Sequence, residues 1–141
     1  MNKTKQYLLY AFMAIILAIF FGALTVWNAP KASVKSTPAD FTLSATELFQ
    51  EYSENQAVAD KKFINQVMEV KGAIFEVSQD QQGATVFLLT TGEKEAGVLC
   101  TMELGESKKV KGKKVGDIIT VKGHCTGMLM EVVLNRCTLV N

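Results

Sequence analysis

The residues best suited to covalent chemistry are a single histidine, His124, and three cysteines, Cys100, Cys125 and Cys137. An imidazole can activate a thiol only when the two meet within hydrogen-bond reach. His124 and Cys125 are neighbours in DIITVKGHC, a segment of alternating apolar residues, and neighbours on a strand point to opposite faces. His124 therefore reads as a strand-end residue at a rim. The cysteines lack the CxxC or Cys/His spacing of a zinc site. Two of them would pair in an oxidising compartment and leave one thiol over, or all three would serve as small reduced core residues, and spacing does not choose between these. The carboxylates are scattered over turns and helix faces, and GKKVG at residues 112–116 lacks the strand-loop-helix setting of a phosphate loop. No catalytic residue, metal or cofactor is expected.

Binding chemistry is better represented. Lys108, Lys109, Lys111, Lys113 and Lys114 fall within seven positions. Such a run is a solvated loop, or it meets an anionic partner such as lipid headgroups or an acidic protein. Met128, Leu129 and Met130 place three large apolar residues beside a turn, where they either close a core or adapt to a partner. Phe75 and Phe87 both lie among apolar neighbours, as core residues do. Phe87 is the ring that a stacking nucleic acid would need exposed.

These candidates must be positioned by a short chain of 141 residues, which suits one domain with an appendage. Residues 7–27, YLLYAFMAIILAIFFGALTVW, carry no charge, and 21 residues of helix span roughly 30 Å, the thickness of the hydrocarbon core. Tyr7, Tyr10 and Trp27 lie near the ends, where such rings favour the headgroup zone. The run is longer than a signal-peptide core, and VWNAPKAS is a poor cleavage context, so a retained anchor is expected; cleavage would release the same domain. Residues 1–6 form a short tail, and residues 28–42, NAPKASVKSTPADFT, read as a linker. The net charge of +1 hides a split: from Asp40 onward the chain carries 11 basic and 14 acidic side chains, net −3. An acidic domain lacks the general attraction to phosphate that nucleic-acid binders use.

From Ser44 the sequence SATE supplies a capping box, which predicts a helix from Ala45 to about residue 55, with a further turn over residues 57–63. The period then changes to two. Strands are expected from residue 66, with a glycine bulge at Gly72 and Phe75 and Val77 turned inward beyond it, then over residues 85–90, 97–102, 117–125 and 130–140. Turns are expected at residues 78–83 and at Thr126 and Gly127, and the lysine-rich residues 103–116 form a connector after the third strand.

Five strands in this order match the small Greek-key barrel of the OB-fold. The segments SATELFQEYSENQAVADKKF, VMEVKGAIFEV, VLCTM, VGDIITVKGHCTG and VVLNRCTLV together resemble the bacterial tRNA-anticodon-binding-like OB-fold family, many of whose members are assigned as lipoproteins or membrane-tethered proteins of unknown role. The resemblance covers residues 43–140; this chain has an apolar helix where those members have a lipidated cysteine. The family's name reflects its fold and does not itself imply RNA binding.

The sequence thus leads to a mainly β protein: a five-stranded OB-fold Greek-key barrel over residues 43–141, with an N-terminal helical extension and a single transmembrane helix. The expected setting is a bacterial cytoplasmic membrane, N-terminus inside and domain outside, with residues 7–27 in the bilayer. The expected role is non-catalytic binding of a protein, peptide or glycan, with single-stranded nucleic acid as the alternative. The strand-two and strand-three face, Phe87, the five lysines, Met128 and Met130 are the candidate contacts.

Overall fold

The computed structural model describes residues 2–27, 33–92 and 96–140. Residues 28–32 of the expected linker and 93–95 of the expected turn after the second strand lie outside that set. The chain divides into two compact units, Met1–Ala32 and Ser33–Asn141. The first is one helix, α1 (Lys3–Trp27), which contains a run long and apolar enough to cross a membrane. Its apolar side chains up to Leu24, Leu8, Ile15 and Phe20 among them, are exposed.

The second unit begins earlier than composition suggested. Val34 in a short 3-10 turn is fully buried, and Phe41–Ser44 form a strand, β1, that pairs in parallel with the next strand. Ser and Thr in this stretch made it resemble a linker, yet one valine and one phenylalanine dock it. The capping box forms as the sequence predicts: the Glu47 N–H donates to Ser44 Oγ, and Glu47 Oε2 accepts from the Ser44 N–H at 2.8 Å. That hydrogen bond to the carboxylate lowers the Glu47 pKa. Helix α2 (Ala45–Glu54) buries Ala45, Leu48 and Tyr52, and α3 (Gln56–Phe63) buries Ala59 and Phe63. Asn55 separates them and caps α3 by accepting the Val58 N–H.

The remaining strands are β2 (Val67–Gln79), β3 (Thr85–Thr90), β4 (Gly97–Met102), β5 (Ile118–Met128) and β6 (Val132–Leu139). They pair in the order β2-β3-β4-β6-β5, and β5 returns to β2, which closes a barrel of five strands. The β4–β6 pair is parallel and the other barrel pairs antiparallel. This is an OB-like fold. β1 lies beside β2 on the side where β3 has not yet begun, and it covers an edge that would otherwise invite another strand. The interior holds Met68, Val70, Ile74, Phe87, Leu89, Val98, Cys100, Val121, Cys125, Val132, Leu134 and Cys137, and Leu48, Tyr52 and Phe63 of α2 and α3 belong to the same core.

Two strand details depart from the pattern read in the sequence. The bulge in β2 falls at Phe75, between the pairs Ile74↔Leu89 and Glu76↔Leu88, while Gly72 stays in register opposite Ile119. Gly72 is small because Ala45 and Leu89 crowd it, not because the strand bulges there. The turn expected at Thr126 and Gly127 is a continuation of β5; Gly127 takes φ +109 at a bulge, and the chain reverses at residues 129–131.

Candidate functional site

The outward face of β3 and β4 is built by strict alternation. Phe87, Leu89, Val98 and Cys100 point into the barrel and are fully buried, so Val86, Leu88, Leu99 and Thr101 lie on the other face, Val86 itself buried and the other three half-buried. Leu88 pairs with Leu99, and Leu99 with Val133 of β6, so one apolar row crosses three strands. On the β2 side the row meets Glu76, with the bulged Phe75 next to it. Neither TVFLLT nor GVLCTM contains a charged residue. The face offers aliphatic surface and threonine hydroxyls, with Glu76 the acidic residue at its border.

Of the two phenylalanines read as core residues, Phe87 lies in the core, which removes it as a candidate contact, and Phe75 does not. Phe87 is fully buried and has no ring surface to offer a ligand. Phe75, expected in the core, is 54 % exposed because it follows the inward Ile74 with no bulge at Gly72 to reverse the alternation, and Val77 beyond it is also exposed. Met128 is half-buried against the core, and its carbonyl accepts from Gln56 Nε2 at 2.9 Å. Met130 and Leu129 are exposed at the hairpin tip, 79 % and 91 % respectively. Of the three apolar residues, one therefore closes the barrel and two project.

The five lysines lie on a different side. The connector after β4 makes a 3-10 turn at Leu104–Glu106 and one helical turn, α4 (Ser107–Val110), with Val110 buried as its foot. Lys108, Lys109, Lys111, Lys113 and Lys114 are all exposed. Glu106 is buried beneath them and ties three segments together. It is 3.6 Å from Lys35 Nζ and 3.8 Å from Lys109 Nζ, and it accepts the Leu139 N–H at 3.4 Å. A shallow cleft beside the connector is lined by Lys109, Lys113, Ile118, Thr120, Leu139 and Val140. These residues follow β5 and the end of β6, and β5 is the barrel strand that touches neither β3 nor β4. Phe87, the lysines and the hairpin methionine Met130 are thus not brought together.

Cys100, Cys125 and Cys137 are all buried free thiols. Cys125 Sγ and the Tyr52 hydroxyl are 3.4 Å apart, and burial, with that contact, holds the phenol neutral far above its usual range. Burial likewise raises the Cys137 thiol, and its hydrogen bond with Cys100 adds to the effect. His124 is half-buried on the opposite face of β5 from Cys125, so the two do not form a nucleophile pair. Among the described residues no three His, Cys, Asp or Glu side chains gather as a metal site.

A protein-family model described as tRNA_anti-like matches residues 1–139. The chain belongs to the tRNA_anti-like family. Among solved structures it is similar to a lipoprotein from Klebsiella pneumoniae subsp. pneumoniae, assigned as nucleic acid-binding, at TM-score 0.60 and 15 % identity over 74 % of this chain and 100 % of that one. At that identity the likeness shows the fold. The Stn1-Ten1 complex of S. pombe matches at TM-score 0.41 and 16 % identity over 53 % of this chain and 58 % of that one, too weak to bear on either fold or function. No curated protein matches the sequence. In this tRNA_anti-like domain the face of β3 and β4 is the one the sequence pointed to, and the feature missed from sequence is the exposed Phe75. The absence of charge in both strands signalled the face; the position of the bulge, at Phe75 and not at Gly72, had no comparable signal.

Proposed function

We propose that the chain is a membrane-tethered binding module that performs no covalent chemistry, and that its β3–β4 face takes a segment of another protein. The observation that carries this is the outward row of Leu88, Leu99 and Val133 on two strands devoid of charge. An uncharged aliphatic face suits a peptide or protein surface and gives phosphate nothing to pair with. A glycan would call for aromatic or hydrogen-bonding side chains that this row lacks. The tether is α1, whose apolar length matches a bilayer and whose exposed side chains need an apolar solvent. The orientation proposed with it is N-terminus inside a bacterial cytoplasmic membrane and domain outside.

The test uses the full chain solubilised in mild detergent. It should migrate in a complex larger than itself, return to its own size in Leu99→Lys, and be unaffected by nuclease. A complex that collapses under nuclease, or that ignores Leu99→Lys, would contradict the reading. Orientation is read from a cysteine introduced at Lys111, since the native thiols are buried; an impermeant thiol reagent should label it in intact cells, and labelling only after permeabilisation would reverse the topology.

Phe75 favours a second reading, a module for single-stranded nucleic acid. Its exposed ring lies next to Ile74, which exchanges backbone hydrogen bonds with Gly116 and Asp117 at the end of the lysine connector. An exposed ring on the strand that the lysine connector joins supplies a surface on which a base stacks, with the connector as the source of cations for its phosphate. Fluorescence anisotropy of a single-stranded oligonucleotide at low salt tests it: saturable binding lost in Phe75→Ala supports it, and no saturable binding removes it.

A further inference from the structure

The lysine connector and the start of the domain are joined by one buried carboxylate. Lys35 lies just past Ser33, where the compact unit begins, and Lys109 lies in the connector; both pair with Glu106. Val34 packs the same stretch onto β5 and β6, and Lys122 Nζ of β5 donates to the Thr37 carbonyl at 3.0 Å. The chain therefore leaves the domain toward α1 from the β5 side, next to the lysines. Between Trp27 and Ser33 lie five residues, which reach at most roughly 20 Å even fully extended. If α1 crosses a bilayer, that reach keeps the β5 side near the headgroups, where cations meet anionic lipid within a Debye length of about 8 Å.

We infer that the β5 side is a lipid-binding surface: the lysine connector and its cleft take the phosphates of anionic phospholipids in the membrane that α1 enters. This rests on the reading of α1 as an anchor. The cleft has the two parts such a ligand needs. Lys109 and Lys113 stand at its rim as phosphate donors, and Ile118, Leu139 and Val140 give an aliphatic wall for the first part of an acyl chain. Its wall contains no aromatic ring on which a base would stack. The segment from Ser107 to Gly116 carries five lysines and no acid, although the domain as a whole is acidic, so positive charge is concentrated on the side where the chain enters the domain at Ser33. Docking there turns the β3–β4 face away from the membrane, because β5 is opposite it in the barrel.

The experiment places a photo-crosslinking residue at position 111 or, as the control on β4, at position 101 of the full chain. The protein is reconstituted in vesicles of phosphatidylcholine, with or without phosphatidylglycerol. Carbonate extraction first reports whether α1 is retained; extraction of the chain would overturn the anchor and this inference with it. With the chain retained, lipid adducts at position 111 should exceed those at 101 by about tenfold when phosphatidylglycerol is present, and fall about tenfold in a variant with Lys108, Lys109, Lys113 and Lys114 changed to Gln. Raising salt to about 1 M, where the Debye length is about 3 Å, should have the same effect without any substitution. Equal yields at the two positions, or a yield at 111 indifferent to phosphatidylglycerol and salt, would overturn the inference while leaving the anchor standing. An oligonucleotide that crosslinks at 111 in preference to lipid would assign the lysines to nucleic acid instead.

Discussion

The two sides of the barrel differ in how their polar groups are spent. On the β3–β4 side, strand alternation sends Phe87, Leu89, Val98 and Cys100 inward and leaves an outward row without charge. On the β5 side the outward surface is crowded with lysines, held in place by a carboxylate that is buried. The first side is fixed by backbone pairing alone, and its surface is whatever the alternate residues are. The second depends on side-chain electrostatics, since a one-turn helix and a 3-10 turn have little backbone structure to hold them. One closed barrel thus presents a face whose two strands carry no charge and a face crowded with lysines.

The sharpest contrast is between two rings. Phe87→Ala should destabilise the domain by about 3 to 5 kcal/mol, because it empties a fully buried site, and thermal or urea unfolding measures it. A small loss would mean the face is less firmly packed from beneath than described. Next, Glu106→Ala should cost about 1 to 3 kcal/mol by leaving the Leu139 N–H unpaired and releasing Lys35 and Lys109. Hydrogen exchange should quicken in the connector and around Val34 and stay unchanged in β3 and β4. Loosening of both sides together would show that the two are not independent.

Ser44→Ala removes the cap of α2, which lies under both sides, and should cost about 1 kcal/mol. The partner carboxylate adds a pH signature. Because the Glu47 pKa is lowered in the folded state, its contribution is full above the ordinary glutamate range near about pH 4.3 and is lost as pH falls through the folded value. A side-chain NMR titration should find Glu47 below that range, and an ordinary value would contradict the capping geometry. The smallest effect belongs to Phe75→Ala, within about 0.5 kcal/mol, since more than half of the ring is already in water. A large loss there would return Phe75 to the core.

Much of this was legible in the sequence, for identifiable reasons. The capping box at Ser44, the period change near Val67 and the strands TVFLLT and GVLCTM are local signals, and each appears where its residues predict. β1 was not legible, because FTLS is too short for a period and owes its strand to pairing with β2. The bulge was assigned to Gly72 since glycine often marks one, but at Gly72 the missing side chain makes room for Ala45 and Leu89. Phe75 and Val77 looked like core because they are apolar; the pairing with β3 puts Phe75 on the outer face, next to inward Ile74, while Val77 sits opposite the inward Phe87 and is still exposed. The clamp at Glu106 joins residues far apart in the chain, Lys35 and Leu139, which no sequence spacing announces.

The division of labour between the two faces can be read in one experiment in intact cells, with a photo-crosslinking residue at Leu99 in one strain and at Lys111 in another. The account predicts a protein adduct at position 99 that resists nuclease and disappears with Leu88→Lys, and a lipid adduct at position 111. A nuclease-sensitive adduct at either position, or a protein adduct at 111 with none at 99, would contradict it.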